Sequence, residues 1–95
     1  MAISFLPFAK GTQVLTVDTT AKQVSLMEST RSICINNVAA SNALLLEWNE
    51  APGDSSFQIP GGVLLTLSVP YNQKSLWIKR SAGSESAIVT CGGGI

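Results

Sequence analysis

The sequence predicts an all-β fold: a single-domain β-sandwich or jelly roll of about eight short strands with an extended N-terminal arm. Three observations lead there. Apolar and β-branched runs of roughly five to eight residues recur along the chain. Clusters of Gly, Pro, Asn and Ser separate them. The runs repeat at about ten-residue spacing, as in sandwiches and jelly rolls. Residues 1–11 form the arm and residues 12–95 the β domain.

The expected strands are Thr12–Asp18, Lys22–Met27, Ser32–Val38, Ala43–Asn49, Ser56–Ile59, Val63–Val69, Leu76–Arg80 and Ala87–Cys91. In the sixth, Val63, Leu65, Leu67 and Val69 make one apolar face, while Leu64, Thr66 and Ser68 point the other way. In the fourth, Leu44, Leu46 and Trp48 alternate with Leu45, Glu47 and Asn49, which leaves Leu45 and Leu64 on the wet faces. A helical spacing of Ala21, Val24 and Met27 competes only within Thr20–Thr30. That segment is short for a helix and rich in Ser and Thr, so a strand is expected. Pro52-Gly53 suits a type II turn within Ala51–Asp54, and Ser81–Ser86 reads as a hairpin joining the last two strands.

Ninety-five residues and 10.0 kDa suffice for one domain. Six basic residues balance six acidic ones, and charged residues make up only 13% of the chain. A neutral chain without a basic block gains little from phosphate, which argues against nucleic acid as a partner. The absence of His removes His-based triads and His-containing zinc sites. Neither Ser-x-x-Lys nor Gly-x-Ser-x-Gly is present, so no enzymatic activity and no cofactor are expected. Glu47, Glu50 and Asp54 lack the spacing of a calcium loop and read as a solvated hairpin tip; no metal is expected. No basic start precedes the N-terminal apolar segment, and no run is long enough to span a membrane. A cytosol-like compartment and no membrane partner follow.

Cys34 and Cys91 lie in apolar runs and read as buried thiols rather than a bridge. The order Cys34, Trp48, Cys91 imitates an immunoglobulin domain, but Val89 occupies the position of its corner Tyr. Trp48 and Trp77 read as core residues rather than as a sugar platform, and Tyr71 falls in a turn. Ser and Thr supply 19 residues, so hydroxyls cover much of a surface with little charge repulsion. Such a surface associates readily. The arm, with Ile3, Phe5, Leu6 and Phe8 around Pro7, either folds back on its domain or docks on a neighbour. These four are the first candidates for an interface, with Leu45 and Leu64 second.

Five segments carry a resemblance: Arg31-Ser-Ile-Cys-Ile-Asn-Asn37, Leu44-Leu-Leu-Glu-Trp48, Phe57-Gln-Ile-Pro-Gly-Gly62, Leu76-Trp-Ile-Lys-Arg80 and Ser86-Ala-Ile-Val-Thr-Cys-Gly-Gly93. In pattern they resemble the small all-β virion proteins of tailed bacteriophages, among them capsid decoration (cement) proteins. The resemblance implies a virion protein made in the host cytoplasm that binds over joints between major capsid subunits and stabilises the shell. It further implies a homo-oligomer, with a trimer favoured, whose partner is the major capsid protein or another virion protein. Truncation before Ala9 is then expected to abolish shell binding and leave a folded domain. The alternatives are a phage tail or fibre component, or a carbohydrate- or receptor-binding β module.

Overall fold

Period-two alternation decides what each strand buries. The computed structural model describes residues 5–38, 41–53 and 55–93, and every described strand is antiparallel to its neighbours. The strands are β1 (Leu6–Val17), β2 (Lys22–Ser25), β3 (Ser32–Asn37), β4 (Leu44–Glu47), β5 (Phe57–Ile59), β6 (Leu64–Ser68), β7 (Ser75–Arg80) and β8 (Glu85–Gly93). They form two four-stranded sheets, in the orders β1-β8-β3-β6 and β2-β7-β4-β5. Ile33, Ile35 and Val89 from the first sheet meet Leu44, Leu46, Leu76 and Ile78 from the second in one sandwich-like core. Each expected strand has its counterpart, and Thr20–Thr30 holds β2 rather than a helix.

Two expected turns differ. β7 and β8 do not form a hairpin, because β7 pairs with β2 and β4 while β8 pairs with β1 and β3. The 81–84 connection instead changes sheets. β4 and β5 are the consecutive strands that pair directly. Their turn is not type II, since Gly53 lacks the positive φ which that turn demands. The Ser56 hydroxyl donates to Glu47 Oε2 at 2.9 Å, while the Gly53 amide donates to that hydroxyl at 3.0 Å.

The reason for the sheet change lies at one end of the sandwich. Parity along β7 sends Arg80 inward after Leu76 and Ile78, and parity along β3 sends Asn37 inward after Ile33 and Ile35. Both residues are fully buried. Arg80 Nη1 donates to Asn37 Oδ1 at 2.7 Å and to the Asn42 carbonyl at 3.1 Å. Its Nη2 donates to the Ser86 carbonyl at 2.7 Å. Asn37 Nδ2 reaches the carbonyls of Asn42, Ile59 and Pro60 at 2.9, 3.0 and 3.1 Å. The Arg80 amide donates to the Asp18 carbonyl at 2.7 Å. The pair therefore touches the connections after β1, β3 and β5 and the first residues of β8, and each of the four connections at this end links one sheet to the other. Gly83 (φ 75°) lets the 81–84 turn sit against Asn42, because a Cβ there would lie 2.9 Å from Asn42 Nδ2. Burial lowers the Arg80 pKa from its usual value, and the charge of Glu85 opposes that shift.

At one edge of the first sheet, β1 pairs with β8. Leu6 and Pro7 stand opposite Gly93 and Gly92, and the register is then interrupted until Thr12 meets Thr90. Lys10 takes a positive φ of 58° inside that irregularity. The described part of the expected arm, from Phe5 on, therefore folds back on its own domain. Gly92 is what permits it. A Cβ at Gly92 would lie 2.5 Å from the Leu6 carbonyl oxygen and 2.7 Å from the Phe5 ring.

Two predictions follow from these contacts. Asn37→Ala is expected to lower stability by about 2–4 kcal/mol, because it strips a partner from a buried cation. Urea or thermal unfolding measures this, and the melting temperature should fall by roughly 10 °C or more for a domain of this size. Gly92→Ala is expected to release the Phe5–Pro7 segment, read as faster amide exchange and early proteolysis there while the β3 amides stay protected.

Candidate functional site

Three surfaces are candidates for contact with a partner. The first is the N-terminal end of β1. Here the structure gathers Phe5 and Phe8, both half-buried, beside Leu6, which is 61% exposed. Gly92 underlies the Phe5 ring and Gly93 the Phe8 ring, on opposite faces of the first sheet. Ile3, assigned by the sequence to the same interface, lies outside the described residues. Val14, 70% exposed further along β1, stands opposite Ile88 on the outer face of the first sheet, the face that carries the Phe5 ring and not Leu6.

The second surface is the edge of the first sheet at β6. Leu64 is 61% exposed there, as alternation requires. Val63, Leu65, Leu67 and Val69 pack against the core yet remain partly open. The facing strand of the other sheet, β5, is only three residues long, which leaves this side of the sandwich incompletely covered. A groove of about 350 Å³ runs there between Trp48, Phe57 and Leu67. Trp48 packs against the core, in line with the sequence reading.

The third is the outer face of the second sheet. The sequence placed Leu45 on an exposed face, but it is only 7% exposed. It does lie on the outer face; being on an internal strand, it is flanked there by Gln58 and Lys79. Long side chains cover apolar surface with their stems. Leu45 is thus separated from Leu6 and Leu64 and does not join them in one patch. Trp77 also departs from its expected place in the core. Leu76 and Ile78 are buried, so the residue between them points outward, where it stands between Gln23 and Glu47. Gln23 Nε2 donates to the Ser75 hydroxyl at 2.9 Å on the same face. Alternation within Leu76-Trp77-Ile78 carried that signal from the start.

Apolar contact and hydrogen bonding dominate these surfaces, with Glu47 and Lys79 bringing charge to the third. Both cysteines are free thiols, Cys91 buried and Cys34 half-buried. Cys34 stands opposite Thr90 and Cys91 opposite Ile33, and this one-residue offset sends the two sulfurs to opposite faces of the sheet. Among the described residues no three Cys, Asp or Glu side chains cluster as a metal site would require; Asp54 lies outside them. No helix of the described residues is long and apolar enough to cross a membrane. At the end away from Arg80, two shallow grooves of about 400 and 470 Å³ adjoin the Ser29–Arg31 and Asn72–Gln73 turns. Tyr71, 91% exposed, stands beside them.

No protein-family model, no curated protein and no solved structure matches this chain.

Proposed function

We propose that this chain is a non-enzymatic virion structural protein, a capsid decoration protein that binds over joints between major capsid subunits. The observation that carries the reading is the pair of strand orders, β1-β8-β3-β6 and β2-β7-β4-β5. Two interleaved Greek keys produce those orders, and the reading of them as a jelly roll links the chain to an architecture used by viral capsid domains. Fold alone does not fix function, so the surface must carry the rest. A low-charge exterior and the exposed apolar side chains Leu6 and Val14, one on each face of β1, favour docking on a protein shell over a charged ligand. Binding only to the assembled, expanded shell would stabilise that state by mass action.

Mass spectrometry of purified virions from the virus that encodes the chain is expected to find it in many copies per particle. Its absence from the particle overturns the reading. Truncation before Ala9 would remove part of β1 with its pairing to β8, so a point variant is the cleaner probe of contact. Leu6→Lys is expected to lower shell occupancy by about tenfold or more, the equivalent of one lost apolar anchor. Its melting temperature should be unchanged, because the side chain is exposed.

Trp77 supports a second reading, a carbohydrate-binding module. A partly exposed indole flanked by Gln23 and Glu47 has the apolar face and polar rim that stacking on a sugar ring requires. A glycan array with Trp77→Ala as control separates the two readings. Binding that the variant loses establishes the module, and an empty array removes it.

A further inference from the structure

We infer that β6 is the seat of a two-fold contact in which two copies of this chain join their first sheets edge to edge. This goes beyond the virion reading and does not depend on it. A sandwich of two open sheets has four edge strands, here β1, β6, β2 and β5. Exposed edges invite pairing with another chain unless something blunts them. Three of the four are blunted. β1 is interrupted at Lys10, and Lys22 Nζ occupies its Thr16 carbonyl at 2.8 Å. β2 has four residues, one of them Lys22, and Gln13 Nε2 occupies its Ser25 carbonyl at 3.1 Å. β5 has only three residues. β6 is different: Val63–Val69 contains no charge, no Pro and no break in its register with β3.

The hydrogen-bonding polarity of this edge follows from its ends. The Asn37 amide donates to the Val63 carbonyl, and the Val69 amide donates to the Arg31 carbonyl. The odd-numbered positions therefore face β3, and Leu64, Thr66 and Ser68 direct their amides and carbonyls to the open side. Among the described residues, no hydrogen bond crosses to that side.

The occupant is argued from the segment's own symmetry. An antiparallel pair centred on Thr66 sets Thr66 opposite Thr66 and Leu64 opposite Ser68. The outward-facing positions of both copies then coincide, giving about six amide-to-carbonyl bonds. On the core side, Leu65 meets Leu67 and Val63 meets Val69, so every half-covered apolar side chain finds an apolar one. A shift of one residue would set outward-facing groups against inward-facing ones, so the register is specified. The contact is isologous and closes at two copies, with one continuous sheet of eight strands. A dimer replaces the trimer that the family resemblance implies.

The test is analytical ultracentrifugation of the full chain across a concentration series. The mean mass is expected to rise from 10.0 kDa towards twice that value. Thr66→Lys places two like charges across the axis and is expected to hold the mass at one chain, with unchanged circular dichroism and melting temperature. A second variant guards against misfolding. Thr66→Cys in a Cys34→Ser background is expected to oxidise to a covalent dimer, because the paired Cα atoms would lie about 5.5 Å apart. It should do so about tenfold faster than Ser81→Cys, an exposed turn control in the same background. A chain that stays monomeric throughout, together with equal rates for the two cysteine variants, overturns the inference. So does a dimer, a trimer or an open polymer whose mass Thr66→Lys leaves unchanged.

Discussion

A buried cation governs this sandwich. Arg80 lies in the interior with its guanidinium bonded to the neutral oxygens of Asn37, Asn42, Glu85 and Ser86. Burying a charge is costly unless hydrogen bonds replace its water. The replacement here is supplied by the Asn37 side chain at the end of β3, the Asn42 carbonyl before β4 and the Glu85 and Ser86 carbonyls at the start of β8, so the guanidinium is satisfied only when these distant segments are in place together. Asn37 extends the same requirement to the end of β5. The network thus couples the sheet-changing crossovers to one another, and a local error at one of them would leave polar groups unpaired at the rest.

The opposite constraint acts at the sheet margins. With β1 folded onto β8, the Phe5 ring lies over Gly92, and the first sheet gains a side that Gln13 and Lys22 lace to β2. The other side has no such lacing. A three-residue β5 cannot cover the apolar face of Val63, Leu65, Leu67 and Val69. One margin of the molecule is thus satisfied within the chain, and the other leaves Leu64 and Phe57 open to solvent. The asymmetry is a property of strand lengths, since every free edge presents the same backbone groups.

The neutral surface fits this picture. A low density of charge does not repel a second apolar surface, whether of another copy or of a shell, and hydroxyls keep the remainder wet. Trp77 shows how the same outer faces admit more specific contact, with an indole set between Gln23 and Glu47 on the outer face of the second sheet.

Strand positions and facing were legible in the sequence because both depend on a local, period-two pattern. All eight runs became strands, and Ile33, Ile35, Leu76 and Ile78 turned inward as their spacing dictates. The same parity held the position of Trp77, where residue type was a poorer guide than its two neighbours. The exposure of Leu64 was likewise readable, whereas the cover over Leu45 was not, because it depends on β4 lying inside its sheet; the facing of Leu6 was not either, because residues 1–11 lack alternation and their place in β1 depends on β8. Which strand pairs with which is non-local: β1 meets β8 and β3 meets β6 across long separations, and alternation fits many such arrangements equally well. The burial of Arg80 and Asn37 belongs to the same class. Apart from Asn37 Oδ1, their acceptors are backbone carbonyls, which every residue carries, so only the folded chain could decide which of them would surround a charge.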